Sequence, residues 1–303
     1  MTSHKPPRKV LLATDLSHRC DRALDRALQL ARQWGATLLV VHAIENESEQ
    51  LSEYRARDKL PLWRPGADPV TAVRERIYQD LAEEEDHDIV VHVEAGAPVE
   101  VILRAAKQHA ADLIISGIAQ SKSLSHFWLG TTVDRLVRKS PVPLLIVRDR
   151  SFGPYARVVV ATDFSPSSRA AIETAAAYYP QANYHLLHGY DVPFAGYLSA
   201  DEIKKFAAVG ARAADKFLAE ADLSGIAASD IDRIIERGAP AMLLRELARK
   251  LGRHLVVVGT HGGGVVYDVV IGSTAREIVD AVPADVLVVP DPDKRGSVAA
   301  DIA

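Results

Sequence analysis

The chain has 303 residues, 48% of them hydrophobic and 25% charged, which excludes a disordered or collagen-like protein and, at about 150 residues per domain, predicts two domains. Lys and Arg number 36 against 40 Asp and Glu, a formal net charge of −4, so no global basic field points to nucleic acid or anionic lipid as a partner. The single cysteine, Cys20, cannot form an internal disulfide or a cysteine zinc site and fits a reducing compartment. Met1 to Lys9 is polar, and no apolar run approaches the roughly 18 residues of a membrane span or a signal-peptide core. The expectation is a cytoplasmic protein with no membrane association.

In chain order, short β-branched runs alternate with helical patterns. Strands are predicted at Lys9 to Ala13, Thr37 to Ala43, Asp88 to Glu94, Asp112 to Gly117 and Pro143 to Arg148. A second set follows at Arg157 to Ala161, Asn183 to Gly189, Ile231 to Glu236, His254 to Gly259 and Asp285 to Val289. Runs such as Leu255-Val256-Val257-Val258 lack alternation, as strands covered on both faces of a parallel sheet do. Between them, Leu24, Ala27, Leu28 and Ala31 form one apolar helical face, and Ile172, Ala175, Ala176 and Tyr179 repeat the spacing. Val99, Ile102, Leu103 and Ala106 do the same further on, matched by Leu244, Leu247, Ala248 and Leu251. Ser17 and Ser165 suit helix N-caps, and Pro166 the first helical position.

The two sets are copies of one unit. Ala13-Thr14-Asp15-Leu16-Ser17 returns as Ala161-Thr162-Asp163-Phe164-Ser165 at an offset of 148, and Glu94-Ala95-Gly96-Ala97-Pro98 returns as Glu236-Arg237-Gly238-Ala239-Pro240 at an offset of 142. The latter offset also pairs Gly117 with Gly259, Gly130 with Gly272 and Pro141 with Pro283. The first copy is longer at Glu45 to Pro69, and the seam between copies falls in Arg148 to Tyr155. The predicted class is therefore α/β, with two tandem doubly wound domains, 1–150 and 154–292.

In such a sheet ligands bind beyond the carboxyl ends of the strands, where strand order reverses. There the second copy places Asp163, able to accept hydrogen bonds from a sugar hydroxyl or to sit near a metal-phosphate group. After its fourth strand come Gly259-Thr260-His261-Gly262 and then Gly272-Ser273-Thr274 at the start of a helix. Glycines admit a phosphate to the backbone, and hydroxyls at a helix N-terminus favour an anion. Taken singly, Gly259 could merely end a strand and Gly272 permit a turn.

Together, in this order after strand one and strand four, the Ala-Thr-Asp-Phe-Ser and Gly-x-x-Gly…Gly-Ser motifs resemble the nucleotide signature of the universal stress protein family. The resemblance covers both copies. It implies a five-stranded parallel sheet flanked by helices in each domain, the last strands associating so that the copies pair as a pseudo-dimer within the chain, with association of two chains left open. It also implies ATP, with a divalent ion such as magnesium bridging its phosphates. The residues expected to bind the nucleotide are Ala161, Thr162, Asp163 at the ribose, the backbone at Gly189 near the adenine, and Gly259, His261, Gly262, Gly272, Ser273 and Thr274 around ribose and phosphates. The matching first-copy set is Asp15, Ala43, Gly117, Gln120, Gly130 and Thr131. Here Gln120 replaces Gly262, and its side chain is expected to project into the phosphate volume, leaving this pocket weak or empty for ATP.

Other residues have plainer readings. His185 and His188, three apart on a strand, point to opposite faces and are not expected to share a metal. His42 reads as a structural histidine. Cys20 sits where a helix begins, which could lower its thiol pKa and make it a redox sensor, though no second cysteine could resolve it. Leu60 to Gly66 is a proline-rich apolar loop that could cover a pocket, contact a protein partner or pack locally. No Walker A, His-Glu-x-x-His or Gly-x-Ser-x-Gly motif occurs, so no catalytic residue is assigned and any ATP hydrolysis should be slow. The functional expectation is a stress-response regulator that binds an adenine nucleotide and an unidentified protein partner. A slow ATPase and a scaffold with vestigial pockets are the alternatives.

Overall fold

The computed structural model describes residues 5–17, 20–45, 68–81, 88–118, 130–192, 197–252, 254–260 and 272–291. Gln120, His261, Gly262 and the loop at Leu60 to Gly66 lie outside these residues. The chain packs as two compact units, residues 7–117 and the rest.

The first unit contains β1 (Lys9–Ala13), α1 (Asp21–Trp34), β2 (Thr37–Ile44), α2 (Pro69–Asp80), β3 (Ile89–Ala95), α3 (Pro98–Gln108) and β4 (Leu113–Gly117). Its strands are all parallel in the order β3-β2-β1-β4. The second unit begins with α4 (Thr131–Lys139) and β5 (Leu144–Val147) and continues with β6 (Arg157–Ala161), α5 (Pro166–Tyr178) and β7 (Asn183–Tyr190). It is completed by α6 (Ala200–Glu220), β8 (Asp232–Arg237), α7 (Pro240–Leu251), β9 (Leu255–Gly259), α8 (Ser273–Ala281) and β10 (Asp285–Val289). Strands β10-β9-β6-β7-β8 are parallel in that order, and β5 adds to β10 antiparallel. All ten expected strands form, within a residue or two of their predicted ends. Among the described residues no helix is long and apolar enough to cross a membrane.

Burial explains why these segments are strands. Leu255, Val256 and Val257 of β9 are fully inaccessible, as are Val158, Val159 and Val160 of β6. α5 packs against β6, β9 and β10 through Ile172, Ala175 and Ala176, all fully buried. Each buried valine, leucine or isoleucine contributes up to about 1.5–3 kcal/mol, and each alanine methyl about 0.8 kcal/mol. The repeated Gly-Ala-Pro motif has a backbone cause: Gly96 and Gly238 adopt φ of +148° and +143°, a region that L side chains rarely enter. Each turns the chain from strand to helix while donating its N–H back to the preceding strand, Gly96 to Ile44 O at 3.0 Å and Gly238 to Tyr190 O at 3.0 Å. The prolines that follow, Pro98 and Pro240, take the first helical position, where a missing N–H costs nothing.

The helix starts differ between the copies. Ser165 caps α5 as expected, its hydroxyl accepting from Ser168 N at 3.2 Å ahead of Pro166. Ser17 does not cap α1; that helix begins later, with Cys20 at the N-cap, and Ser17 O instead accepts from Cys20 N at 2.8 Å in a preceding turn. The position matching Pro166 is His18, which lacks the backbone-closing pyrrolidine ring that presets a helical φ.

The compact units do not coincide with the sequence copies, because α4 and β5 of the first copy pack with the second through the β5–β10 pair. Leu145 faces Leu287, flanked by Leu144 opposite Val288 and Ile146 opposite Val286. The end of this ribbon is closed by Asp285, which is 1% exposed. Its Oδ1 accepts from the backbone N–H of Arg148 at 2.7 Å and of Asp149 at 2.9 Å, and its Oδ2 from the Tyr155 hydroxyl at 2.5 Å. The buried Arg148 side chain donates in turn to Val279 O. One carboxylate thus fastens the seam to the start of β10.

Replacing Asp285 with Ala strands two amides and a phenol in the interior, and should lower unfolding free energy by about 3 kcal/mol or more in urea titrations. Asp285→Asn, which keeps an acceptor, should lose less. Beside this cluster His254, 3% exposed, hydrogen-bonds Gly252 O through Nδ1 at 2.6 Å. Burial holds its imidazole below the usual histidine range, with Gly252, Asp149 and Asp285 opposing and His185 reinforcing that shift. Because the unfolded chain then binds the proton more readily, stability is full above the ordinary histidine value of about 6.5 and declines as pH falls from there toward the folded value. Melting temperature should therefore fall less between pH 7 and about pH 5 in His254→Leu than in the parent chain.

Candidate functional site

The topological switch of the second unit lies between β6 and β9, where the chain goes to β7 and β8 on one side and to β10 on the other. Residues at the strand ends there are set by adjacent pairings, Ala161 opposite Leu187 and Val160 opposite Val257. Thr162 N donates to Leu187 O at 2.9 Å, so the ladder continues one residue past β6 before the chain turns.

The turn is held by side chains rather than by glycine. Phe164 adopts φ +65°, a left-handed conformation that costs a non-glycine residue about 1–2 kcal/mol. Thr162 Oγ1 accepts from Phe164 N at 2.9 Å, and Asp163 Oδ1 accepts from Ser165 N at 3.1 Å and from Ser168 Oγ at 2.6 Å. The Phe164 ring lies 4.4 Å from the His188 ring, centroid to centroid, and 5.7 Å from Phe217. His188 Nδ1 reaches Thr162 O at 2.9 Å, supporting the turn from beneath. Asp163 itself is exposed, so a fixed carboxylate faces solvent at the strand ends. The motifs alone give neither Ser168 nor His188 this role; for His188 the signal is recurrence, because His42 does the same in the other copy, while Ser168 has no such signal.

In that copy Leu16 has φ +59°. Thr14 Oγ1 accepts from Leu16 N at 3.0 Å, Asp15 Oδ1 from Ser17 N at 2.9 Å, and His42 Nδ1 meets Thr14 O at 3.0 Å. Cys20 stands in the place of Ser168, its thiol donating to Asp15 Oδ1 at 3.1 Å. Burial, reinforced by the Asp15 charge, pushes this thiol up to about 11, so the expected lowering of its pKa is overturned. Cys20 is a protonated hydrogen-bond donor at neutral pH, not an activated sensor. Burial raises the Asp15 carboxyl, but hydrogen bonds from Ser17 and Cys20 outweigh it and leave the group below its ordinary value.

Around Asp163, Gly189 lies near the end of β7 and Gly259 ends β9. Both glycines have packing reasons for their identity. A Cβ on Gly259 would lie 2.4 Å from Ser167 Oγ and 2.7 Å from Ser167 O, and one on Gly189 would lie 2.6 Å from Gly238 O. Beyond β9, Thr260 is buried and ties three segments together: its N–H donates to Val289 O at 3.1 Å, its carbonyl accepts from Gly272 N at 2.8 Å, and its hydroxyl accepts from Asp291 N at 3.2 Å. The bond to Gly272 anchors the start of α8 at the end of β9. Gly272 is the N-cap and offers no side chain to the first turn, where Ser273 and Thr274 are exposed. Ala161, Thr162, Asp163, Gly189, Gly259, Gly272, Ser273 and Thr274 thus all sit at the carboxyl-end loops of one sheet or on the helix fastened to them.

In the first copy Asp15, Ala43 and Gly117 lie at the carboxyl ends of the adjacent strands β1, β2 and β4, whereas Gly130 caps α4 and Thr131 opens it in the second compact unit. His185 pairs with Asp232 at 3.2 Å while His188 takes Thr162 O at 2.9 Å, so the two rings have separate partners, and among the described residues no group of three or more His, Cys, Asp or Glu could hold a metal.

A doubly wound α/β domain with a Thr-Asp turn after its first strand and a glycine-capped helix fastened to its fourth defines the class of fold. The model of the Universal stress protein family matches residues 7–148 and 154–290, and the chain belongs to that family as two tandem domains. The universal stress protein in the QAH/OAS sulfhydrylase 3′ region of Thermus aquaticus is 34% identical over 139 residues, 46% of this chain and 97% of that protein. Among solved structures, a universal stress protein from Archaeoglobus fulgidus DSM 4304 aligns with 96% of this chain and 100% of its own at 21% identity and a TM-score of 0.65. A functionally unknown protein from Pseudomonas aeruginosa PAO1 aligns with 98% of this chain and 97% of its own at 18% identity and a TM-score of 0.69. Both structures share the fold along the whole tandem chain.

Gly259→Ala forces backbone, not a flexible side chain, to move, and should cost about 1–3 kcal/mol in chemical denaturation with no ligand present. An unchanged unfolding midpoint would instead mark Gly259 as a residue whose constraint is imposed by a ligand alone.

Proposed function

We propose that the second domain binds an adenine nucleotide, ATP being the expected ligand, and that occupancy regulates the chain's association with a protein partner in a stress response. The observation that carries this reading is the arrangement at the β6–β9 switch point: an exposed, side-chain-fixed Asp163 beside a side-chain-free strand end at Gly259 and an α8 N-terminus capped only by Gly272. A carboxylate in that position accepts hydrogen bonds from a ribose hydroxyl. The α8 N-terminus, with the hydroxyls of Ser273 and Thr274, suits phosphate through amide donors and the helix dipole. Family membership and the motif resemblance support the same ligand.

The chemistry of the donor set also bears on magnesium. Among the described residues no group of three or more His, Cys, Asp or Glu could hold a metal, so a divalent ion would be held mainly by phosphate oxygens, with Asp163 the carboxylate of the strand-end turn that would assist. Bound there, the ion would neutralise phosphate charge. The protein's own part is positional: Ser168 and Ser165 hold Asp163, and Thr260 holds the start of α8.

The first domain keeps Asp15 in an equivalent turn but carries Gln120 where the second has Gly262. The reading is one nucleotide per chain. Mass spectrometry of small molecules released on denaturation, followed by calorimetric titration of ATP with magnesium, should give a stoichiometry near one. Gly262→Gln and Asp163→Ala should each lose that site, and Gln120→Gly should gain a second one if the first pocket is otherwise intact. Multiple turnovers of ATP would move the protein to the enzymes. An empty chain that ignores ATP would leave it a scaffold.

A further inference from the structure

The β5–β10 ribbon is symmetric about Leu145 and Leu287, which are equivalent residues of the two copies at the offset of 142. Equivalents also meet beside it: Arg276 Nη2 lies 3.4 Å from Asp134 Oδ1, and 134 and 276 are the same position of the repeat. An axis therefore runs through this interface, and a position on it faces its own counterpart. Were the two copies identical there, each charge would face itself.

The chain instead reverses the charges. α4 carries Asp134, Arg135 and Arg138, and α8 carries Arg276, Glu277 and Asp280 at the same three positions. Asp134 is bridged by Arg138 of its own helix at 3.2 Å as well as by Arg276 of the other, while Arg276 also lies 3.8 Å from Asp280. The seam cluster is unequal in the same sense. Asp285 and Arg148 of the closed end correspond to Pro143 and Pro290. Proline has no N–H, so a second copy of β10 laid on β10 would offer Asp285 no amide at the place where Arg148 now donates one. A pair of first copies would lack the carboxylate altogether and set Asp134 against Asp134.

We propose that these reversals form a pairing code: the last-strand interface accepts the unlike copy, with Asp134 against Arg276, each backed by the opposite charge one turn on in its own helix, and a one-sided carboxylate lock, and disfavours a like copy. The partner that fits β5 and α4 is a domain carrying the Arg-Asp pattern of α8 with an acidic residue opening its last strand. A free domain of the α4 pattern does not fit. Recognition of this kind rests on repulsion in the wrong pair as much as on attraction in the right one.

Four full-length chains test the code at constant tether. They are the parent, the α4 exchange (Asp134→Arg with Arg138→Asp), the α8 exchange (Arg276→Asp with Asp280→Arg), and both together. Two of these pair unlike patterns and two pair like patterns, and each helix keeps an internal ion pair throughout. At low salt each single-helix exchange should lower the melting temperature by about 2–4 °C, and the combined chain should lose clearly less than the sum of those losses, the remainder being the charge that Asp280 presents to the buried Arg148. In about 1 M salt the difference between like and unlike pairs should shrink, since the pairs are partly exposed. Losses that simply add in the combined chain, or that are indifferent to salt, would overturn the code and reduce each exchange to a local helix effect. Neither result depends on nucleotide binding.

Discussion

A buried carboxylate at the first residue of the last strand organises the second unit. Asp285 cannot lose its hydration without donors, and it finds three of them in the seam between the copies: two consecutive amides and a tyrosine hydroxyl. That requirement fixes where residues 148–155 run, places β5 antiparallel along β10, and brings α4 of one copy against α8 of the other through Asp134 and Arg276. β10 in turn lies beside β9, whose far end meets Thr260 and the start of α8. The lock at one end of the ribbon and the candidate ligand site at the other end of the strands are therefore parts of one frame, joined by five-residue strands with almost no exposed side chains.

Much of this frame is legible in the amino-acid order. Uninterrupted runs such as Val158 to Val160 announce strands covered on both faces, because no solvent-facing residue breaks them. Repetition of Ala-Thr-Asp and Gly-Ala-Pro exposes the duplication, and the structure supplies separate reasons for the two motifs. Gly96 and Gly238 recur because only glycine tolerates their φ; Thr and Asp recur because they satisfy the amides of a strained turn. Local order does not carry pairing across long separations. Asp285 reads as an ordinary strand opening, and nothing near β5 states that it will lie antiparallel to a strand 142 positions away. For the same reason the compact units divide before α4, whereas the repeat divides at the seam.

The candidate site shows the same division. Asp163 and the glycines are visible as a motif, but Ser168, His188 and Phe164 acquire meaning only when the turn is folded around them. Both copies fix their aspartate alike, with a threonine hydroxyl, a backbone amide and a histidine bonded to the threonine carbonyl. The turns are therefore poor discriminators between the two domains. In the proposed reading, the difference between the domains comes from the sequence after the fourth strand, where the second copy has Thr260-His261-Gly262 and the first has Ile118-Ala119-Gln120.

Cys20 has a consequence of a practical kind. As the sole thiol in the chain, it gives a labelling reagent a single address, and that address is the sulfur hydrogen-bonded to Asp15. A thiol held protonated reacts slowly, so its alkylation rate reports the burial and the Asp15 hydrogen bond that keep it protonated. The residue that took the place of Ser168 thereby makes the first domain's strand-end turn observable by chemistry, in a chain where the corresponding turn of the second domain has no such handle.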